Sequence, residues 1–124
     1  MSSSDADTTI LALRELVATF AREREWAQFH TPKDLAAGLS IEAAELLELF
    51  LWKTPAEVEE MTRQPQVRER MAEELADVMI FCLNFANRLD IDLVTATLTK
   101  LEANAVKYPV EKAKGVSHKY TELT

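Results

Sequence analysis

The sequence predicts an all-α protein, a four-helix bundle that assembles further by helix packing. Three observations carry this expectation. The 124 residues include only two glycines and four prolines, so few positions interrupt a helix. Ala, Leu and Glu are abundant, and all three favour helix. Apolar residues recur at three- and four-residue spacing, with no alternating run of the kind a half-buried strand shows.

The elements follow in order. Residues 1–7 read as a disordered tail, 8–109 as the helical domain, and 110–124 as an irregular tail that is a candidate contributor to a site. The first helix starts at Thr8 or Thr9 and runs to near Trp26, with Ile10, Leu13, Val17 and Phe20 at helical spacing. The second starts after Thr31, with Thr31 as N-cap and Pro32 at the first helical position, and continues to about Trp52. Thr54-Pro55-Ala56-Glu57 repeats the start signal for a short third segment, which Pro65 breaks. A long helix covers Gln66 to Arg88 with a continuous stripe of Val67, Met71, Leu75, Val78 and Cys82. Asp90 or Asp92 caps a last helix ending near Lys107, stopped by Pro109. The second helix is apolar nearly all round, which predicts self-association into a dimer or a dimer of dimers.

Composition narrows the function classes. The formal charge of −7 disfavours binding to a nucleic acid polymer, because phosphate backbones attract basic surfaces. Cys82 is the only cysteine, so no internal disulfide forms, and its apolar surroundings make it a small core residue. The first residues lack the basic start and apolar run of a signal peptide, and no apolar stretch is long enough to span a bilayer. A cytoplasmic protein without membrane contact is expected.

Four carboxylates are the most specific feature. Glu42 and Glu45 form one pair, Glu74 and Asp77 the other, each spaced i, i+3, which sets both members on one helix face. They lie within SIEAAELLELFLW and MAEELADVMIFCL, and acids are rarely placed among apolar residues unless something pairs with them. Two such helices point to a shared hard cation, Mg²⁺ or Mn²⁺, bound by oxygen alone. A solvated acidic edge is the plain alternative. Glu48 lies at the border of the first acidic strip, and Trp52 falls on that strip one to two turns further on. Lys100, Asn104 and Lys107 form a polar strip suited to phosphate oxygens, or simply a solvated face. Trp26, Phe29, His30 and Trp52 could stack on and read a base, although each taken singly suits a core. A ferritin-like dimetal site is disfavoured, because neither His30 nor His118 has Glu three residues before it. No P-loop and no Cys/His zinc spacing occurs.

The acidic pattern, with FAREREWAQFHTPKDL, ELFLWK, EELADV, KLEANAVKYP and KYTEL around it, resembles the MazG-like all-α nucleotide pyrophosphohydrolases, and among them the branch acting on dCTP. The resemblance spans Leu16 to Leu123. It implies Mg²⁺-dependent cleavage of a nucleoside triphosphate between the α and β phosphates, with dCTP or 5-modified dCTP as substrate, in a homo-oligomer for which a tetramer is favoured over a dimer. Glu42, Glu45, Glu74 and Asp77 match the family's metal ligands. His30 and Trp52 match residues lining the nucleoside pocket, and Trp26 belongs to the same string. Lys100, Asn104 and Tyr108 match contacts to the triphosphate or base, with Lys107 assisting. Lys119 and Tyr120 match the C-terminal string. Catalytic roles fall to Glu45, to Glu48 as a candidate base, and to Lys100 as stabiliser of the leaving group. The connector TPAEVEEMTRQPQVRER and the residues Ile41 and Ala44 depart from the branch's pattern, which leaves base preference open. The same chemistry on dUTP or damaged purine triphosphates is an alternative. A catalytically silent helical interaction module is the competing class.

Overall fold

The computed structural model describes residues 3–124, so the first two residues of the expected tail lie outside it. Every regular element among the described residues is helical: α1 (Ile10–Glu23), a 3₁₀ turn (Trp26–Phe29), α2 (Pro32–Glu48), α3 (Pro55–Met61), α4 (Pro65–Leu89), α5 (Leu93–Lys107), α6 (Val110–Ala113) and a final 3₁₀ turn (Tyr120–Glu122). Four long helices are therefore supplemented by the short α3 and α6. In the segment read as an irregular tail, α6 and the last 3₁₀ turn are the only regular pieces. No helix among the described residues is long and apolar enough to cross a membrane.

The helix starts obey local chemistry. The hydroxyls of Thr9, Thr31 and Thr54 accept from the backbone N–H of Ala12, Asp34 and Glu57, and the Asp92 carboxylate accepts from Thr95. Each satisfies one of the donors that a helix N-terminus leaves open. Pro32, Pro55 and Pro65 occupy first helical positions, where the missing N–H costs nothing.

One boundary corrects the sequence expectation. α2 ends at Glu48 rather than at Trp52. Residues 49–52 turn with 3₁₀-type bonds, Phe50 N–H donating to Leu47 and Leu51 N–H to Glu48, and Trp52 then adopts φ 63. That left-handed backbone cannot continue a right-handed helix. Trp52 therefore has no place on the helical strip of Glu42 and Glu45.

The chain forms two compact units, 1–90 and 91–124. Asp90, with φ 54, closes α4 at the boundary. In the first unit, α2 packs along α4 and α1 packs on α4. Leu35 from α2, Ala21 from α1, and Leu83 and Ala86 from α4 are the buried apolar residues. Gly38 of α2 leaves room for a side chain of α4: a Cβ built on it would collide with the Phe81 ring. Arg14 of α1 grips α4 near its end, its Nε donating to Asn87 Oδ1 at 3.0 Å and its Nη2 to the Ala86 carbonyl at 3.1 Å. Much apolar surface stays outside this small core, including Leu11, Leu16, Ile41, Leu47 and Leu75.

In the second unit, the Tyr120 ring lies edge-on to Tyr108, centroids 6.2 Å apart, and takes the Lys107 ammonium 4.8 Å from its centroid. The C-terminal string is thus folded back on the end of α5.

Candidate metal centre and nucleotide cavity

The acids are set by helix geometry. Glu42 and Glu45 project from one face of α2, and Glu74 projects from α4. One carboxylate oxygen from each lies within 4.8 Å of the other two. Oε2 of Glu42 and Oε2 of Glu74 are buried and have no hydrogen-bond partner among the described residues. A buried acceptor left without a donor is costly, so these two atoms call for a partner.

Electrostatics agree. Glu42, through a shared hydrogen bond and its charge, holds the Glu45 carboxyl above the ordinary glutamate value, with desolvation adding to the effect. The Glu74 carboxyl is also pushed up, first by desolvation and then by the charge of Glu45. A cation placed among the three would satisfy the orphaned oxygens and reverse this mutual repulsion. An all-carboxylate donor set fits a hard divalent cation.

Asp77 stands apart from this trio. Three residues along a helix leave two side chains about 60° apart around the axis. Glu74 meets the α2 acids, while Asp77 lines a second cavity on the side of α1. Glu48 stays with the trio, lining with Glu45, Glu74 and Arg70 a hollow of about 780 Å³ floored by Ile41 and Met61. Arg70 escaped the sequence reading. Its position four residues before Glu74 was the available signal, because that spacing stacks the two side chains on one face.

The second cavity, about 420 Å³, is lined by Phe20, Trp26, His30, Asp77, Phe81 and Asn84 among others. Its size and its apolar, aromatic walls with few polar groups are those of a small-molecule pocket. Trp26 packs edge-on against Phe20 at 5.8 Å, an arrangement aromatic pairs prefer. The structure thus brings Trp26, His30 and Asp77 to one cavity. Trp52 is not with them: it is 91% exposed. Asn84 was another omission from the sequence reading; it lies seven residues beyond Asp77, two turns along the same face.

In the second unit, Lys100 and Asn104 share a shallow groove on α5 with Thr97 and Leu101. Lys107, Tyr108 and Tyr120 cluster at the end of that helix, and Lys119 immediately precedes the last 3₁₀ turn.

Comparison with known proteins places this arrangement. The MazG-like family model matches residues 38–123, a stretch containing all four acids. The chain belongs to the MazG-like family. It is similar to dCTP pyrophosphatase 1 of Homo sapiens, with 42% identity over 121 residues, 98% of this chain and 71% of the relative. Against dCTP pyrophosphatase 1 of Rattus norvegicus the identity is 41% over the same coverage. Among solved structures, a pyrophosphatase from Archaeoglobus fulgidus superposes with a TM-score of 0.76 at 34% identity, covering 87% of this chain and 99% of that one.

Proposed function

We propose that the protein is a Mg²⁺-dependent nucleoside triphosphate pyrophosphohydrolase that converts dCTP, or 5-modified dCTP, to the monophosphate and pyrophosphate. The observation that carries this reading is the carboxylate trio with two orphaned oxygens next to an aromatic cavity of nucleobase size. The kinship with dCTP pyrophosphatases supports the choice of substrate.

Glu42, Glu45 and Glu74 would hold the cation, with Asp77 as the fourth ligand that the family resemblance adds. The bound ion supplies charge neutralisation at the phosphate oxygens and acidifies a water molecule. The chain's own groups do the rest. Glu48, which lines the hollow with Glu45 and Glu74, accepts the proton of the attacking water, with Glu45 as the other candidate for that role. Water adds to the α phosphorus and the bond to the β-phosphate oxygen breaks, so that pyrophosphate leaves. Lys100, Asn104 and Lys107, which match the family's triphosphate contacts, are the candidates for offsetting the charge that accumulates on it. Trp26 and His30 receive the nucleoside. Trp52 and Tyr108 are the further candidates for nucleoside contact that the family resemblance adds, and Lys119 and Tyr120 belong to its C-terminal string. The exposed Trp52 and the uncovered apolar faces of α1 and α2 support a homo-oligomer, a tetramer or a dimer, in which a second copy completes the site.

The test is pyrophosphate release with Mg²⁺ from dCTP, 5-methyl-dCTP, dUTP, dTTP, dATP, dGTP and CTP. Preference for dCTP-type substrates, abolished by EDTA and by Glu45→Ala, is expected. Preference for another base keeps the chemistry and overturns the substrate. No release from any, with a folded protein, favours a silent helical module.

A further inference from the structure

Asn84 is the one carboxamide lining the aromatic cavity, where His30, the Trp26 indole and Asp77 are the other polar groups. It is half-buried, and among the described residues its carboxamide makes no hydrogen bond. A carboxamide in such a setting keeps one acceptor and two donors for whatever enters. Asn87, one turn on, shows the contrast: both ends of its amide are committed to Arg14. Asp77, Phe81 and Asn84 follow one another along the cavity side of α4, and the helix rises about 15 Å from Glu74 to Asn84. That is comparable to the reach of a nucleotide from its phosphate-bound cation to the far edge of its base. Phe81, whose ring occupies the space a Cβ on Gly38 would need, lines the same cavity.

We propose that Asn84 is a specificity-determining residue that reads the base edge, an inference that rests on the nucleotide reading above. Its Oδ1 accepts from an exocyclic amino group, and its Nδ2 donates to the adjacent ring nitrogen. This donor–acceptor pair is the edge of a 4-aminopyrimidine such as cytosine.

The discriminating probe is a pair of monophosphates: dCMP and the deoxyribonucleotide of 2-pyrimidinone, which lacks only the 4-amino group. Binding is measured by calorimetry in EDTA, so that neither metal nor turnover enters. The wild-type protein binds dCMP roughly 10- to 100-fold more tightly than the analogue, the worth of a good paired contact to a base edge. Asn84→Leu and Asn84→Ala bind both ligands alike, at the level of the analogue. Two variants guard against a folding defect in one. An unchanged dCMP preference in either folded variant, or no preference in the wild type, overturns the inference. Pyrophosphate release from dCTP with Mg²⁺ is followed in parallel. Its absence with the binding preference intact overturns the hydrolase reading and leaves the Asn84 contact standing.

Discussion

Asn87 and Arg14 hold one another in both directions. Arg14 Nε donates to Asn87 Oδ1, and Asn87 Nδ2 donates to the Arg14 carbonyl at 3.1 Å, across 73 positions of sequence. The pair fixes the register of α1 on α4, and the aromatic cavity is formed between those two helices. Removing one partner leaves part-buried groups unpaired, so Asn87→Leu should cost about 2 kcal/mol in urea unfolding. Adding Arg14→Met should cost less than the sum of the two single changes.

The acid trio predicts a pH dependence in the metal-free protein. A carboxyl whose folded-state pKa is raised gives up its proton more readily after unfolding. Its contribution to stability is fully present below the ordinary value of 4.5 and is lost as pH rises through the raised value. In EDTA, stability should therefore fall across that window. Glu45→Gln should flatten the fall, and Mg²⁺ should restore stability to the wild type alone. Turnover of Glu45→Gln with Mg²⁺ should drop at least about 100-fold. An unchanged thermal midpoint on adding Mg²⁺ to the wild type would count against the trio as a cation site.

Gly38→Ala tests the close passage of α2 over α4. The new methyl meets the Phe81 ring, which must move. Overpacking of this kind should cost roughly 1–3 kcal/mol. The displaced ring also enters the cavity, so KM for dCTP should rise more than kcat falls. Phe81→Leu in the same chain should recover much of the stability, which a general folding defect would not.

Trp52 offers a trade between stability and function. Its left-handed backbone costs a bulky residue about 1 kcal/mol, which glycine avoids. In the single chain the side chain is almost wholly exposed, so removing it sacrifices little burial. Trp52→Gly should therefore match or exceed the wild type in thermal stability while turning over dCTP poorly. A clear loss of stability instead would mean that another copy covers the indole.

The helix starts at Thr31-Pro32 and Thr54-Pro55 were legible because each is written in adjacent residues, whereas Asp92 is one of two candidate caps in the sequence and Pro65 reads there as a breaker rather than a first helical residue. The end of α2 was not legible. Glu48, Leu49, Phe50 and Leu51 carry no breaker, and the left-handed turn at Trp52 is not encoded by a glycine. The acids were found by spacing, yet spacing alone did not separate Asp77 from Glu74, because the 60° between them matters only once α1 and α2 occupy different sides of α4. Arg70 and Asn84 passed as ordinary polar positions on a long amphipathic helix. Only the neighbouring elements show that both face cavities.

α4 carries the acid that meets α2, the cavity wall, the unpaired carboxamide and the clamp on α1. Each residue advances the helix by about 100° around its axis. A single inserted or deleted residue between Glu74 and Asn87 would rotate everything beyond it away from its partners at once. Substitution can tune this helix, whereas a change of its length would dismantle the site. Variation in chain length among proteins built this way should therefore accumulate in segments such as 62–64 and 114–118, where a shift in phase has no face to misalign.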